Sequence, residues 1–111
     1  MQTIKNIPTT PSSLKELIDI RPGRVISMSL SKREDVQMML LSVSEGEEVS
    51  EEQYDRDMVY YVFEGCMPLE KEGNHYELHE GDIMVVEANI PHAIGGKSAF
   101  KVFQISMNQG E

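Results

Sequence analysis

The residue with the clearest capacity for chemistry in this sequence is His92, which directly follows Pro91. An imidazole can transfer protons near neutral pH, and it is also a frequent ligand of transition metals. Residues 83–86 form a short apolar run rich in β-branched side chains, which predicts a buried strand. Pro91 lacks an amide hydrogen, so that strand ends before it. His92 is therefore expected where the next strand begins, a place where a side chain can meet a ligand.

The other reactive side chains give little sign of a catalytic cluster. His75 and His79 flank a hairpin strand, are expected to be exposed, and form no metal-binding motif with His92. Cys66 is the single cysteine, which excludes an internal disulfide, and no basic neighbour in the sequence activates it. The sequence has no serine in a glycine elbow and no phosphate-binding glycine loop. Nucleophilic and nucleotide chemistry are therefore not indicated.

Composition and charge restrict the class of partner. The chain has 111 residues, which is enough for one domain with its own core. Ten basic residues against nineteen acidic ones give a net charge of −9, which argues against binding to nucleic acid or to an anionic membrane. The sequence shows neither a bilayer-spanning apolar stretch nor a signal-peptide pattern. We expect a cytoplasmic protein, in keeping with the lone cysteine.

Polar and apolar residues alternate through most of the chain, which predicts a series of short strands. They are expected at residues 25–31, 36–43, 49–54, 58–63, 66–70, 75–78, 83–86 and 99–107. Turn signals lie between them, with a hairpin signal at residues 71–74, and this arrangement indicates an all-β sandwich or barrel. Residues 1–24 are expected to form an arm and a short helix, capped by Ser12 or Ser13, that pack on a single barrel of residues 25–111.

The spacing of the glycines carries a further signal. Gly81 and His92 are separated like the ends of the second motif of the cupin superfamily, with Asn89 at a position usually held by glycine. Asparagine tolerates the left-handed backbone conformation better than most residues. Gly46 and Gly65 are separated like the ends of the first motif. The sequence therefore resembles small single-domain cupins of the cupin 2, RmlC-like type. The resemblance implies a double-stranded β-helix, the jelly-roll barrel of that family, and a homodimer.

The spacing of the two motifs also locates the positions that hold a metal in many cupins. Three histidines and one carboxylate usually occupy those positions. His92 is retained, whereas Glu52, Tyr54 and Met58 occupy the other three positions. A protonated phenol and a thioether are poor ligands for such ions. No cofactor is therefore expected. If a divalent transition metal is bound, His92 and Glu52 are the residues that would hold it. Tyr60 lies two residues after Met58 on the same predicted strand, so both side chains face the same side and Tyr60 is also expected in the pocket.

Three functions are compatible with these residues. The first is binding of an unidentified small molecule, without a tightly held metal, in a pocket formed by Glu52, Tyr54, Met58, Tyr60 and His92. The alternative is an enzyme, dioxygenase-like or isomerase-like, in which His92 and Glu52 are the catalytic candidates. The third is a homodimer that serves protein interaction, with its barrel filled by some of the eight methionines. His92 could also be a structural histidine bonded to a backbone carbonyl.

Overall fold

The structure is a computed structural model that describes residues 3–31 and 33–108, without the side chains of residues 51, 52 and 108. It contains one turn of 3-10 helix (Leu14–Glu16) and eight strands: β1 (Val25–Ser29), β2 (Val36–Val43), β3 (Glu48–Glu52), β4 (Arg56–Lys71), β5 (Asn74–His79), β6 (Ile83–Val86), β7 (His92–Gly95) and β8 (Phe100–Asn108). Among the described residues, no helix has the length and hydropathy needed to cross a membrane.

The eight strands form one curled antiparallel sheet with the long strand β4 at its centre. The first half of β4 pairs with β6 and β8, and β8 continues through β2 to β1. The second half of β4 pairs with β5 and β7, and β7 pairs with β3. Because β4 belongs to both halves, the sheet closes around one interior. The predicted all-β barrel is confirmed.

Gly65 is the residue that lets β4 serve both halves of the sheet. Its φ of 78° lies in the left-handed region, and a β-carbon at this position would collide with the backbone of Ala99 and Phe100. The sequence predicted a turn here between two separate strands, and that prediction is wrong. The backbone continues as one strand, with a shift of register against β8 just before the glycine.

The main core lies between the two halves of the sheet. Alternate residues of each strand point into it, as the period of two requires. Its buried members are Leu41, Val43, Met58, Tyr60, Val62, Met67, Leu69, Leu78, Val86, Ile94, Phe100 and Val102. The cluster draws on both halves of the sheet, so burial of these side chains is what holds the barrel closed.

A second, smaller cluster lies on the outer face of the sheet beneath the N-terminal segment. Ile18 is buried there with Leu40 and Phe63, and Leu14 of the helical turn and Leu17 just after it pack beside them. The predicted short helix forms only as a single 3-10 turn, and Ser13 makes no side-chain capping bond. A helix this short gains little from its own hydrogen bonds, so the packing of Ile18 fixes the segment.

The strand β6 differs from the buried strand that its composition predicted. It pairs with β4 alone among the described strands, and Ile83 is 68% exposed and Val85 50% exposed, whereas Val86 is buried. Together with Tyr61 and Met107, the two exposed residues form an apolar surface that we call the outer patch. An apolar run shows that a strand avoids water, but not whether its own chain or a partner covers it.

Two turns follow the backbone angles expected from their residue types. Glu72 and Gly73 both have positive φ, 51° and 79°, as in the two-residue turn of a tight hairpin. They join β4 to β5. Asn89 has a φ of 69°, which is the left-handed conformation expected of a residue at a glycine position. Asn89 therefore shapes the approach to His92 as the usual glycine would.

Candidate functional site

A cavity of about 410 Å³ lies inside the barrel. Its walls come from strands of both halves of the sheet and are mainly apolar, with the aliphatic and thioether side chains of Val25, Met39, Leu41, Val49, Met58 and Ile94. The other described lining residues carry polar groups, and these are the groups that could orient a ligand. A cavity of this size and composition is typical of small-molecule sites.

Four of the five residues predicted for a pocket line this cavity: Tyr54, Met58, Tyr60 and His92. Met58 and Tyr60 are alternate residues of β4 and are both buried on its inner face. The backbone of Glu52 pairs with that of His92 between β3 and β7, while the Glu52 side chain lies outside the described part of the structure. Whether these residues contact a ligand stays a prediction.

His92 is 4% exposed and is held by hydrogen bonds at both ring nitrogens. Nδ1 lies 2.9 Å from the carbonyl oxygen of Ile90, and Nε2 lies 2.6 Å from the hydroxyl of Tyr60. Because a carbonyl only accepts, Nδ1 carries the proton and Nε2 of the neutral imidazole accepts from Tyr60. The rings of Tyr60 and Tyr54 lie with centroids 5.6 Å and 5.7 Å from that of His92. The imidazole is thus fixed in one tautomer and one orientation.

The described donors of the cavity do not match a tightly held divalent metal. His92 is the single imidazole among the described lining residues, and the Tyr60 hydroxyl occupies its Nε2 lone pair. Met58 and Tyr54 offer a thioether and a phenol instead of the further histidines and carboxylate that the resemblance implies. The described side chains of the cavity wall therefore do not fit a tightly held divalent metal.

Several polar residues of the cavity wall were not predicted from the sequence, among them Arg56, Gln104 and Ser106. Arg56 is the first residue of β4, Gln104 lies opposite Tyr60 between β4 and β8, and Ser106 lies opposite Met58. Strand parity is the signal that could have found Arg56, because it precedes Met58 by two residues and so faces the same side. The pairing of β4 with β8, which places the other two, is not visible in the sequence.

Outside the cavity, a second group of ligand-type side chains lies on the hairpin of β4 and β5. Cys66, Glu77 and His79 offer possible metal ligands whose atoms lie within 4.8 Å of one another. Burial raises the pKa of the Cys66 thiol, and the nearby carboxylates of Glu77 and Asp82 raise it further, while Lys97 lowers it. His79 is exposed, as predicted. The antiparallel register places it opposite Cys66, a contact that their sequence separation conceals.

A scan against protein-family models and a search of curated proteins found no match to the chain. Solved structures do match. A cupin superfamily protein from Desulfitobacterium hafniense is 36% identical with a TM-score of 0.92, over 96% of this chain and 98% of that one. A cupin 2 conserved barrel domain protein from Leptotrichia buccalis is 23% identical with a TM-score of 0.88, over 96% and 51% of the two chains.

An enzyme shares the fold at greater distance. A variant of salicylate 1,2-dioxygenase from Pseudoaminobacter salicylatoxidans is 19% identical with a TM-score of 0.69, over 75% of this chain and 26% of that one. At this level of identity the likeness concerns the fold alone. The barrel architecture is therefore one that also carries catalysis, and the residues inside it must decide the function of each member.

Proposed function

This chain belongs to the cupin superfamily, and from that premise we propose that its barrel binds a small molecule without a tightly held metal. The observation that carries the proposal is the cavity of about 410 Å³, whose mainly apolar surface is interrupted by polar side chains. A barrel that served only as an interaction scaffold would be filled by its own side chains. Here Met39 and Met58 line the space and leave it open to a ligand.

The polar groups support binding of an oriented ligand. His92 and Tyr60 are locked together, so they present a rigid polar surface to the cavity. Gln104 and Ser106 add an amide and a hydroxyl, each of which can both donate and accept hydrogen bonds. Preorganised groups of this kind reduce the entropy lost when a ligand is ordered.

Thermal unfolding of chelator-treated protein in the presence of a panel of small molecules tests this proposal. Ligands should raise the Tm of the wild type, and Ser27→Trp should remove the effect, because Ser27 is an exposed residue at the cavity wall where an indole can occupy the space. Ser12→Trp, on the exposed N-terminal arm, is the matched control and should respond as the wild type does. Stabilisation that survives Ser27→Trp would place binding elsewhere.

A second candidate is an acid–base enzyme, and the short contact between Tyr60 and His92 favours it. A substrate that displaced the Tyr60 hydroxyl from Nε2 could give its proton to His92. Glu52 stays the second predicted participant. His92→Asn would then abolish turnover while leaving ligand binding within a few-fold. A stoichiometric transition metal that is lost with His92→Ala would instead favour metal-assisted catalysis through His92 and Glu52.

We further propose a homodimer that buries the outer patch of Tyr61, Ile83, Val85 and Met107. These residues are between 37% and 68% exposed, and Tyr61 lies directly opposite Ile83 in the sheet. The N-terminal segment covers the neighbouring part of the same face, so the patch is what remains uncovered. Apolar surface of this kind favours a partner over water.

We also propose a cytoplasmic setting, which suits the free thiol of Cys66. No nucleic-acid or membrane partner is proposed.

A further inference from the structure

The feature of the cavity that most needs explanation is the guanidinium of Arg56. Arg56, Met58 and Tyr60 occupy alternate positions of β4, and all three line the cavity. The Nη1 atom of Arg56 is buried and has no hydrogen-bond partner within the described part of the chain. Arginine remains charged at any relevant pH, so a buried nitrogen without a partner costs free energy until something binds it.

No described carboxylate supplies that partner. Asp55 lines the same cavity, but it is exposed and forms no ion pair with Arg56. Asp57 instead accepts a hydrogen bond from the amide of Ala88. The ion pairs among the described side chains lie elsewhere, and none of them involves Arg56. An anion inside the cavity would satisfy the buried nitrogen.

Building on the proposed small-molecule function, we propose that the ligand is a small organic monocarboxylate. Its carboxylate binds Arg56, because the planar guanidinium offers two parallel donors that match two carboxylate oxygens. Its apolar body packs along Met39, Leu41 and Ile94, which form the wall of the cavity.

The charge of the cavity wall and the distance between Arg56 and Tyr60 favour a monocarboxylate over a phosphate. Arg56 is the single arginine or lysine among the described lining residues, and the exposed Asp55 is their single carboxylate, so the wall cannot neutralise a second negative charge on a ligand. A phosphate dianion would leave excess negative charge in a protein whose net charge is already −9. Tyr60 follows Arg56 by four steps along the strand, which places their Cα atoms about 13 Å apart. That span accommodates a chain of several carbon atoms.

Calorimetric titration with hexanoate, hexanamide and inorganic phosphate tests the inference, because the first two differ in charge and little in shape. The wild type should bind hexanoate about tenfold or more tightly than hexanamide, and it should bind phosphate weakly. Arg56→Gln should bring the two organic probes to equal affinity, and Arg56→Lys should keep part of the preference. Arg21→Gln removes an exposed arginine outside the cavity and should leave every affinity unchanged.

The outcomes separate this inference from the function on which it rests. Equal binding of hexanoate and hexanamide by the wild type would overturn the carboxylate assignment and leave small-molecule binding intact. Tightest binding of phosphate would overturn it too. A hexanoate preference that survives in Arg56→Gln, together with a loss of stability on denaturant unfolding, would show that Arg56 has a partner within the chain. If neither these three probes nor any member of the small-molecule panel bound, the proposed function would fail as well.

Discussion

The hydroxyl of Tyr60 lies 2.6 Å from Nε2 of His92, and both side chains are almost fully buried. The Ile90 carbonyl accepts from the other ring nitrogen, so the imidazole meets its full hydrogen-bonding capacity without water. Both residues were predicted from the sequence to line the pocket, but their contact was not. The pair ties β4 to β7 across the barrel and forms a fixed polar wall of the cavity.

Tyr60→Phe should destabilise the fold by about 1–3 kcal/mol, because it leaves the buried Nε2 of His92 without its donor. Denaturant unfolding measures the change. Tyr61→Phe is the matched control, since Tyr61 is the next residue of the same strand and points outward. Its effect should stay within about 0.5 kcal/mol. Equal losses in the two variants would show that the Tyr60–His92 contact contributes nothing specific to stability.

Gly65→Ala should be more damaging than Gly81→Ala. Both glycines have positive φ, but a β-carbon at Gly65 would also collide with the backbone of Ala99, whereas nothing lies within 4 Å of one at Gly81. We expect about 1–2 kcal/mol of destabilisation at Gly81 from backbone strain alone, and several kcal/mol at Gly65. Comparison of the two unfolding free energies checks the role of Gly65 as the bend in β4. Similar values would contradict it.

Val85→Asp should convert a dimer into monomers, because it places a charge in the outer patch on the edge strand β6. Light scattering at micromolar protein concentration measures the mass. Tyr76→Asp puts the same charge at an exposed aromatic residue of β5, outside the patch, and should remain dimeric. A wild type that is monomeric at this concentration would refute the proposed interface outright.

Iodoacetamide should alkylate Cys66 more slowly in the folded protein than in the unfolded chain near pH 8. Burial and the carboxylate of Glu77 raise its pKa, so less thiolate is present to react. The same shift stabilises the fold at pH values below the unfolded pKa, and that contribution is lost as the pH rises through the folded pKa. Glu77→Gln should speed the reaction about two- to threefold, and Glu87→Gln, an exposed carboxylate elsewhere, should not. Equal rates in folded and unfolded protein would contradict the raised pKa.

The strands were predictable because alternation and turn residues are local signals. Residues 36–43 form a strand with the bounds that the sequence gives, and Asn89 adopts the left-handed angle that its place in the glycine pattern requires. The exposure of Ile83 and Val85 was not predictable, because a strand with an exposed apolar face can have the same composition as a buried one.

The site was only partly predictable for a different reason. The motif spacing placed His92, Tyr54 and Met58 around one cavity, since each motif is a local run of sequence. Arg56 shares the inward side of Met58 but lies just before the predicted strand of residues 58–63, so the position where that strand begins decided whether it was found. Gln104 and Ser106 reach the same cavity through the pairing of β4 with β8, and single-sequence patterns carry no register between distant strands.

Methyl NMR on protein labelled at the methionine ε-carbons tests the central claim most directly. Met39 and Met58 line the cavity, while Met67 is buried in the core away from it and Met107 is exposed on the outer patch. In chelator-treated protein titrated with hexanoate, the resonances of Met39 and Met58 should move and saturate, and those of Met67 and Met107 should stay in place. Shifts that require an added divalent metal, or shifts at Met107 alone, would contradict a metal-independent ligand site inside the barrel.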